Sequence, residues 1–397
     1  MISCLAFYLI CAYLSTAFDD PTVSFGGKHI IVAGDFGQLP PPACADVPLY
    51  SDSVAAWSST LSPKAQMTVM GQALWHQFTT VVVLRQNMRQ AGLCKDDQLY
   101  RRALENARMK DCDADDIALL RSRIVGLSPT SPLLRPPGLE PVSIITAWNS
   151  HRDAINEVGS ENFAQSRGLQ LVEFVSLDSW AADKDERSTR ATQRTHDSTF
   201  NPVRTSDRIG TDMQKVLWSL PPCSTANHAG VLRLCIGMPV LLKNNEATEL
   251  CATNGAEAIV VGWDAHRAHT QTNEEVLDTL FVRLTNPPRK VQLDDLPPNV
   301  IPLPRTKQRI QSMLPFSDMP SVYINREQVM VLPNFAMTDF ASQGRTRTFN
   351  PCHLAHCRSS QSLYTCLSRS SSLQGLVILD GFDAFKLSGG LDICLKR

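Results

Sequence analysis

Four short stretches carry side chains able to do chemistry. Gly34-Asp35-Phe36-Gly37-Gln38-Leu39-Pro40-Pro41 places an acid and an amide just past an apolar run, and Asn87-Met88-Arg89-Gln90 follows a second one. Ser342-Gln343-Gly344-Arg345-Thr346 and Ser368-Arg369 supply hydroxyls, an amide and guanidinium groups. An amide donates and accepts at once, and a planar guanidinium presents paired donors that suit phosphate oxygens. Taken singly, each stretch also has a plain structural reading: a tight turn capped by Asp35, a surface loop, a helix N-terminus, an exposed polar pair. A further cluster, Cys352-His353-Leu354-Ala355-His356-Cys357, concentrates possible metal ligands. Its adjacent pairs do not match the usual C-x2–4-C and H-x3–5-H spacings of zinc sites, so no metal is expected.

The elements that must hold these loops can be read from apolar patterning. Residues 30–33 and 81–84 are short continuous apolar runs and read as buried parallel strands leading into polar loops. Ligands of α/β sheets sit at such strand ends. Residues 5–14 read as an apolar helix, stopped at Asp19-Asp20-Pro21. Residues 128–141 hold five prolines and read as a linker, followed by a strand at 142–146 and a helix starting near His151. The stretch 183–208 is polar and nearly free of large aliphatics, an insertion or surface loop. From 231 to 263, apolar runs alternate with Gly-Met-Pro and Asn254-Gly255, the pattern of a small β module. Pro297–Pro304 is a second proline-rich connection, and strands are expected at 329–332 and 376–379.

Composition narrows the function classes. The 397 residues carry 38 Lys+Arg against 39 Asp+Glu, a formal charge of −1, which excludes a polycation that binds nucleic acid with its whole surface. With 43% hydrophobic and 19% charged residues, the chain is neither disordered, collagen-like nor coiled-coil. Twelve scattered cysteines fit reduced thiols of an intracellular protein. The first 18 residues are uncharged, but they lack a basic leader and a small-residue cleavage site. Their apolar part is shorter than the about 20 residues of a membrane span, so a buried helix is expected, with no membrane association.

Order gives the stretches a shared meaning. Phe25-Gly26-Gly27, an apolar strand and Gly34-Asp35-Phe36-x-Gln38-Leu39-Pro40-Pro41 resemble the third motif of superfamily-1 DNA helicases. The resemblance is to the petite-integration-frequency (PIF) family and to the helicase domain of Helitron transposons. Further matches follow in that family's order: Asn87-Met88-Arg89-Gln90, then Asn149-x-x-Arg152-Asp153-x-Ile155-Asn156, then Gly237-Met238-Pro239-Val240-Leu241-Leu242-x-Asn244 with Asn254-Gly255. Phe335-Ala336-Met337-Thr338 with Ser342-Gln343-Gly344-x-Thr346 is next, and Leu367-Ser368-Arg369 with Leu373-x-Gly375-Leu376 is last.

The resemblance implies an α/β fold of RecA-like P-loop NTPase parallel sheets, the first incomplete, with a small inserted β-barrel module. It divides the chain into 1–127, the C-terminal half of a first RecA-like domain; a linker at 128–141; 142–230, the start of a second domain with the insertion 183–208; a β module at 231–300; and 301–397, the rest of the second domain. It implies ATP and Mg²⁺ as cofactors in the intact family, single-stranded DNA as partner, 5′→3′ movement, a monomer, a nuclear location, and work in DNA repair, recombination, telomere maintenance or transposition. By resemblance, Gln38 senses the γ-phosphate and the attacking water, and Arg89 and Arg369 act as arginine fingers. Gly34, Asp35, Gln343 and Gly344 join them around the nucleotide. DNA contacts fall to Asn149, Arg152, Asn156, Thr338, Ser342, Arg345, Thr346 and Arg347, although Asn149 serves equally well as a plain helix N-cap.

The departures are specific. Ala341 stands where the family commonly has Lys, and Tyr364-Thr365-Cys366 replaces a small residue after Tyr. The loop G-x-x-x-x-G-K-[ST] occurs nowhere in the sequence, and the sole Asp-Glu pair, Asp185-Glu186, lies in the polar insertion. Met1 resembles the methionine that ends the family's second motif, so an N-terminally truncated helicase, inactive alone, is expected. The alternative is a non-enzymatic DNA-binding relic of a Helitron-like element.

Overall fold

The computed structural model describes residues 2–42, 47–51, 61–126, 132, 142–181, 208–267, 274–316 and 319–391. Nearly all of the expected linker and polar insertion, Asp185-Glu186 included, lie outside these residues. Two compact units emerge: Met1–Ala147 together with Thr338–Arg397, and Trp148–Met337. These boundaries differ from the linear scheme expected from sequence. Residues 144–146 pair with a strand near the other end of the chain, and strands beyond residue 300 continue the β module instead of leaving it.

In the first unit, helix α1 (Cys4–Ala17) starts where the Ser3 hydroxyl accepts from the Ala6 amide. Cys4, Phe7, Cys11 and Ser15 recur at helical spacing and form its buried face. Phe7 packs against Phe25 and Phe78, with ring centroids 5.4 and 5.8 Å away. Helix α2 (Pro63–Trp75) crosses α1 at Gly71, where a Cβ would lie 1.8 Å from the Cys4 carbonyl oxygen. Helices α3 (Lys95–Met109) and α4 (Ala114–Arg121) follow, and α4 opens with a capping box between Asp113 and Asp116. Strands β1 (Ile144–Thr146), β13 (Asn350–His353) and β14 (Leu376–Leu379) lie side by side in parallel. This parallel sheet, built from segments about 200 residues apart, makes the unit α/β.

The expected strands at 30–33 and 81–84 do not form; both segments are extended without a ladder partner among the described residues. Ile30 and Val32 still pack against the α1 cluster, but Ile31 is 94% exposed and Leu84 90%. An apolar run becomes a buried parallel strand only with neighbours on both sides, and none of the described strands flanks these two.

The second unit begins with helix α5 (Asn149–Ser166) and is otherwise mainly antiparallel. Strand β2 (Val172–Val175) pairs with β4 (Val231–Leu234), and β3 (Leu177–Trp180) with β10 (Met319–Gln328), which also pairs with β9 (Thr306–Phe316). A five-stranded sheet runs in the order β11 (Val331–Pro333), β5 (Pro239–Leu242), β6 (Glu257–Arg267), β7 (Glu275–Leu284), β8 (Val300–Pro304). β11 and β8 are its two edges; barrel closure is not among the pairings. Inward-facing Val240, Leu242, Val260, Leu280 and Val282 form its core with Phe174 and Leu232. Arg326 and Asp178, both fully buried, pair at 2.8 Å between β10 and β3, and Arg326 also donates to the His228 and Leu217 carbonyls. Such a pair is tolerated in a core because its remaining donors are satisfied. Among the described residues, no helix is long and apolar enough to cross a membrane.

Candidate functional site

All four stretches lie in the first unit, and one backbone segment, residues 367–370, receives side chains from far upstream. This segment follows helix α8 (Ser360–Leu367), whose N-cap Ser359 accepts from the Ser362 amide. Its carbonyls are held by three side chains from far upstream. Tyr100 of α3 donates its hydroxyl to Leu367 O at 2.7 Å, Arg89 Nη1 donates to Ser368 O at 2.9 Å, and Gln90 Nε2 donates to Ser370 O at 2.6 Å. Asn87 sets that loop locally, because its Oδ1 accepts from the amides of Arg89 and Gln90 in an Asx turn. Arg89 Nε also donates to Thr346 Oγ1 at 3.0 Å.

Arg369 has no exposed surface; Nε donates to Thr365 O at 2.9 Å and Nη2 to Ser368 Oγ at 2.8 Å. Burial, and then the positive charge of Arg89, bring its pKa down to about 10. Among the described residues, neither arginine makes an ion pair with a carboxylate. The two guanidinium groups thus lie close enough to repel each other, with Asp35 among the charges that oppose the effect on Arg369.

The second part of the cluster is the turn after residue 33. Asp35 Oδ1 accepts from the Gly37 amide at 2.9 Å, so the plain reading of a capped turn is realised. It also accepts from Nε and Nη2 of Arg108, at 3.0 and 2.8 Å. Gln38 Nε2 lies 3.4 Å from Asp35 Oδ2, and Gln38 Oε1 accepts from Gln343 Nε2 at 3.2 Å. Gln361 of α8 donates to Phe36 O at 2.8 Å and so ties this turn to the helix that precedes Arg369. Burial, and Asp35 after it, raise the Tyr364 phenol above its usual range.

Helix α7 (Asp339–Ser342) carries the remaining motif residues. Thr338 is its N-cap and accepts from the Ala341 amide at 3.3 Å. Asp339 accepts from the Ser362 hydroxyl at 2.6 Å and, buried, has its carboxyl pKa raised. Gly344 adopts φ +84°, a left-handed turn that carries the chain past Gln343. Thr346 is exposed, Arg345 Nε donates to Ala341 O at 2.9 Å, and the Arg347 amide donates to Arg369 O at 2.9 Å. Ser342 is different: it is fully buried and gives its hydroxyl to Asp339 O at 2.8 Å.

In the second unit two of the three expected DNA-facing residues of α5, Arg152 and Asn156, are buried, whereas Asn149 is exposed. Asn156 is buried, and its Oδ1 accepts from the Phe335 and Ala336 amides at 2.9 and 2.8 Å. Arg152 is buried too and reaches Asp153, Asn149 and Asn227 at 2.7, 2.9 and 2.7 Å. Asp153 in turn accepts from the Cys223 amide at 2.8 Å, so this network braces the helix against the 222–228 loop. The N-cap is Trp148, without a side-chain bond, and Asn149 is the first helical residue. Arg152, Asn156 and Ser342 therefore serve the fold, with their polar atoms engaged by the protein.

Sequence reasoning missed Tyr100, Gln361 and Arg108, and gave Gln90 no role of its own. Gln90 was visible inside a motif, but Tyr100 and Arg108 sit on an ordinary amphipathic helix with no local signal. The donor set of Arg89, Arg369, Gln38 and Gln343 suits the oxygens of a phosphate. It does not suit Mg²⁺, because Asp35, the carboxylate of this cluster, is engaged by Arg108. Among the described residues, no group of three or more His, Cys, Asp and Glu is placed to hold a metal ion.

No protein-family model matches the sequence, and no curated protein does. Solved structures do. Pif1 helicase from Candida albicans aligns over 100% of this chain and 74% of its own, with a TM-score of 0.57 at 17% identity. Pif1 helicase from Bacteroides in complex with ADP-AlF3 and ssDNA aligns over 98% of this chain and 71% of its own, with a TM-score of 0.59 at 15% identity. The same helicase bound to ssDNA gives 0.56 at 16% identity. The chain has the fold of Pif1 helicases.

Proposed function

We propose that this chain is part of a Pif1-type, ATP-dependent DNA helicase, and that it carries the elements sensing the terminal phosphate of the nucleotide. What supports the reading is that Arg89 reaches Ser368 O beside Arg369 and that Gln38 and Gln343 pair within the same unit, joined to a Pif1-type fold. The partner is single-stranded DNA, contacted through Thr338, Arg345, Thr346 and Arg347 of the first unit. Hydroxyl and guanidinium donors of this kind hold phosphates without reading bases. By the family resemblance the engine moves 5′→3′ and serves repair, recombination, telomere maintenance or a transposon.

The chain alone does not hydrolyse ATP in this reading. Phosphoryl transfer depends on a phosphate cradle and a metal ion, and the sequence holds neither G-x-x-x-x-G-K-[ST] nor an acid pair after a buried strand. The same absence, with Ala341 in place of a lysine, favours a second reading: a DNA-binding relic of a Helitron-like element. Fluorescence anisotropy with labelled oligothymidylate, together with phosphate-release assays, tests both. Salt-sensitive DNA binding without phosphate release is expected. DNA-stimulated phosphate release that Arg369→Ala abolishes overturns the inactivity, and no binding at low salt overturns the DNA reading. An upstream reading frame encoding the phosphate loop decides for the helicase over the relic.

A further inference from the structure

Arg108 lies outside all four motif stretches, near the end of α3, yet its guanidinium holds the acid of the Gly34–Pro41 turn. Asp35 Oδ1 accepts from Arg108 Nε and Nη2, at 3.0 and 2.8 Å, and from the Gly37 amide at 2.9 Å. Gly37 makes the approach possible, since a Cβ there would come within 2.8 Å of Arg108 Cγ. The hydrogen bond to Asp35 raises the Arg108 guanidinium above its ordinary value against the opposing effect of burial, so the group stays charged.

With one carboxylate oxygen engaged in this way, the other is left to Gln38. Gln38 Nε2 lies 3.4 Å from Asp35 Oδ2, and Gln38 Oε1 accepts from Gln343 Nε2 at 3.2 Å. An ionised carboxylate only accepts, so one orientation of the Gln38 amide satisfies both neighbours. A flipped amide would set its oxygen against Asp35 Oδ2 and its NH2 against the NH2 of Gln343. Asp35 therefore selects the direction of the Gln38 amide, and Arg108 holds Asp35. One Nε2 hydrogen of Gln38 serves Asp35; the other has no acceptor among the described residues. Charge matters as much as direction, because a bare carboxylate beside that amide would repel an arriving phosphate oxygen. The paired donors of Arg108 offset that charge.

We propose that Arg108 is a positioning residue of the terminal-phosphate site. Through Asp35 it fixes the Gln38 amide, so that one Nε2 hydrogen is presented to a phosphate oxygen, and it offsets the carboxylate charge that would oppose that oxygen. Arg108 itself touches no phosphate. The proposal rests on the reading of Gln38 as the group that meets the terminal phosphate.

The test titrates tripolyphosphate into the full chain by isothermal calorimetry. In parallel, heteronuclear NMR follows the Gln38 side-chain amide, assigned from its disappearance in Gln38→Met. Arg108→Met keeps the stem and removes the donors, whereas Arg108→Lys keeps the charge and loses the fork. Urea unfolding shows that each variant is folded, and Arg108→Lys carries the test if Arg108→Met is not. Without ligand, both variants are expected to shift the Gln38 amide protons. Arg108→Met is expected to weaken tripolyphosphate binding about tenfold, the weight of one charge-assisted contact, and Arg108→Lys by less. In an Asp35→Asn background, Arg108→Met is expected to change affinity by less than about twofold, because the residue acts through Asp35. Gln38 amide protons that stay in place in the folded variants, or undiminished tripolyphosphate binding by Arg108→Met, overturn the proposal alone. A full loss retained in the Asp35→Asn background also overturns it, since Arg108 then meets the phosphate directly. A wild type that binds no tripolyphosphate overturns the reading of the site and the proposal together, which separates the two failures.

Discussion

The buried amide of Gln90 donates to the carbonyl oxygen of Ser370 at 2.6 Å, across 280 residues of sequence. The same nitrogen reaches Ser368 O at 3.3 Å, and the Arg369 backbone is held between the two contacts. Gln90 thus positions a guanidinium without touching any ligand itself.

Replacing Gln90 by Leu takes the donor from the buried Ser370 carbonyl, while Ser368 O keeps its bond from Arg89. A buried polar group without its partner costs about 1–3 kcal/mol, so urea unfolding of Gln90→Leu is expected to show a loss of that size. A change below about 0.5 kcal/mol, the usual range for surface sites, shows that water replaces the amide.

Arg369→Met carries the opposite expectation. The guanidinium is fully buried beside another positive charge, and its desolvation and repulsion from Arg89 oppose its hydrogen bonds. The variant is expected to unfold within about 1 kcal/mol of the wild type, because relief of that desolvation and repulsion offsets the donors lost to Thr365 O and Ser368 Oγ. It is also expected to lose stabilisation by tripolyphosphate, which in the wild type reaches about 1.4 kcal/mol at ten times the dissociation constant. Equal stabilisation of both proteins by tripolyphosphate removes Arg369 from the anion site.

Asp339 fixes the sign of one pH dependence. Burial raises its carboxyl above the ordinary value of 3.8, against the hydrogen bonds from Ser362 and the Phe340 amide. Between 3.8 and the raised value, the folded state binds more protons at this site than the unfolded chain. Its contribution to stability therefore falls as pH rises through that window. Asp339→Asn cannot ionise, so its stability relative to the wild type should climb as pH rises from 3.8 and level off above the raised value. Asp116 works in the other direction: Asn106 and Arg102 hold its carboxyl below 3.8, and its stabilisation is lost as pH falls below that value.

The segment Val81–Leu84 is an extended, uncharged run of three β-branched valines and a leucine with its side chains in solvent. Such an edge invites pairing with other chains. Val82→Lys is expected to reduce light scattering on concentration while shifting unfolding by less than about 0.5 kcal/mol, as at other exposed positions. An equal loss of stability places Val82 in a packed setting.

This segment also shows how far the sequence could be read. The apolar run at 81–84 and the one at 376–379 look alike as strings, yet only the second is a strand, because β13 lies beside it. Composition gives strand tendency, and pairing depends on what else the chain brings to the same place. The helix expected at 5–14 was legible from its uninterrupted apolar run and the Asp19-Asp20-Pro21 stop, and it extends over Cys4–Ala17. At the site, Asn87, Arg89, Gln90 and Arg369 were visible as motif members, but the motif could not show that Arg89 and Gln90 hold backbone. Tyr100 and Arg108 left no trace, since their partners lie far off in the chain. Asn156 was read as a DNA contact, whereas it accepts from two amides; a polar residue inside a motif can serve structure as readily as ligand.

The division of the chain has a consequence for its synthesis. The unit Trp148–Met337 is one uninterrupted stretch, whereas the other is assembled from both ends. A ribosome delivers residues 1–147 first, but the carbonyls awaited by Tyr100, Arg89 and Gln90 are made only after residue 366. The middle stretch can therefore complete its core while the leading stretch waits with unfilled donors and bare apolar surface, a period in which chaperone capture competes with maturation.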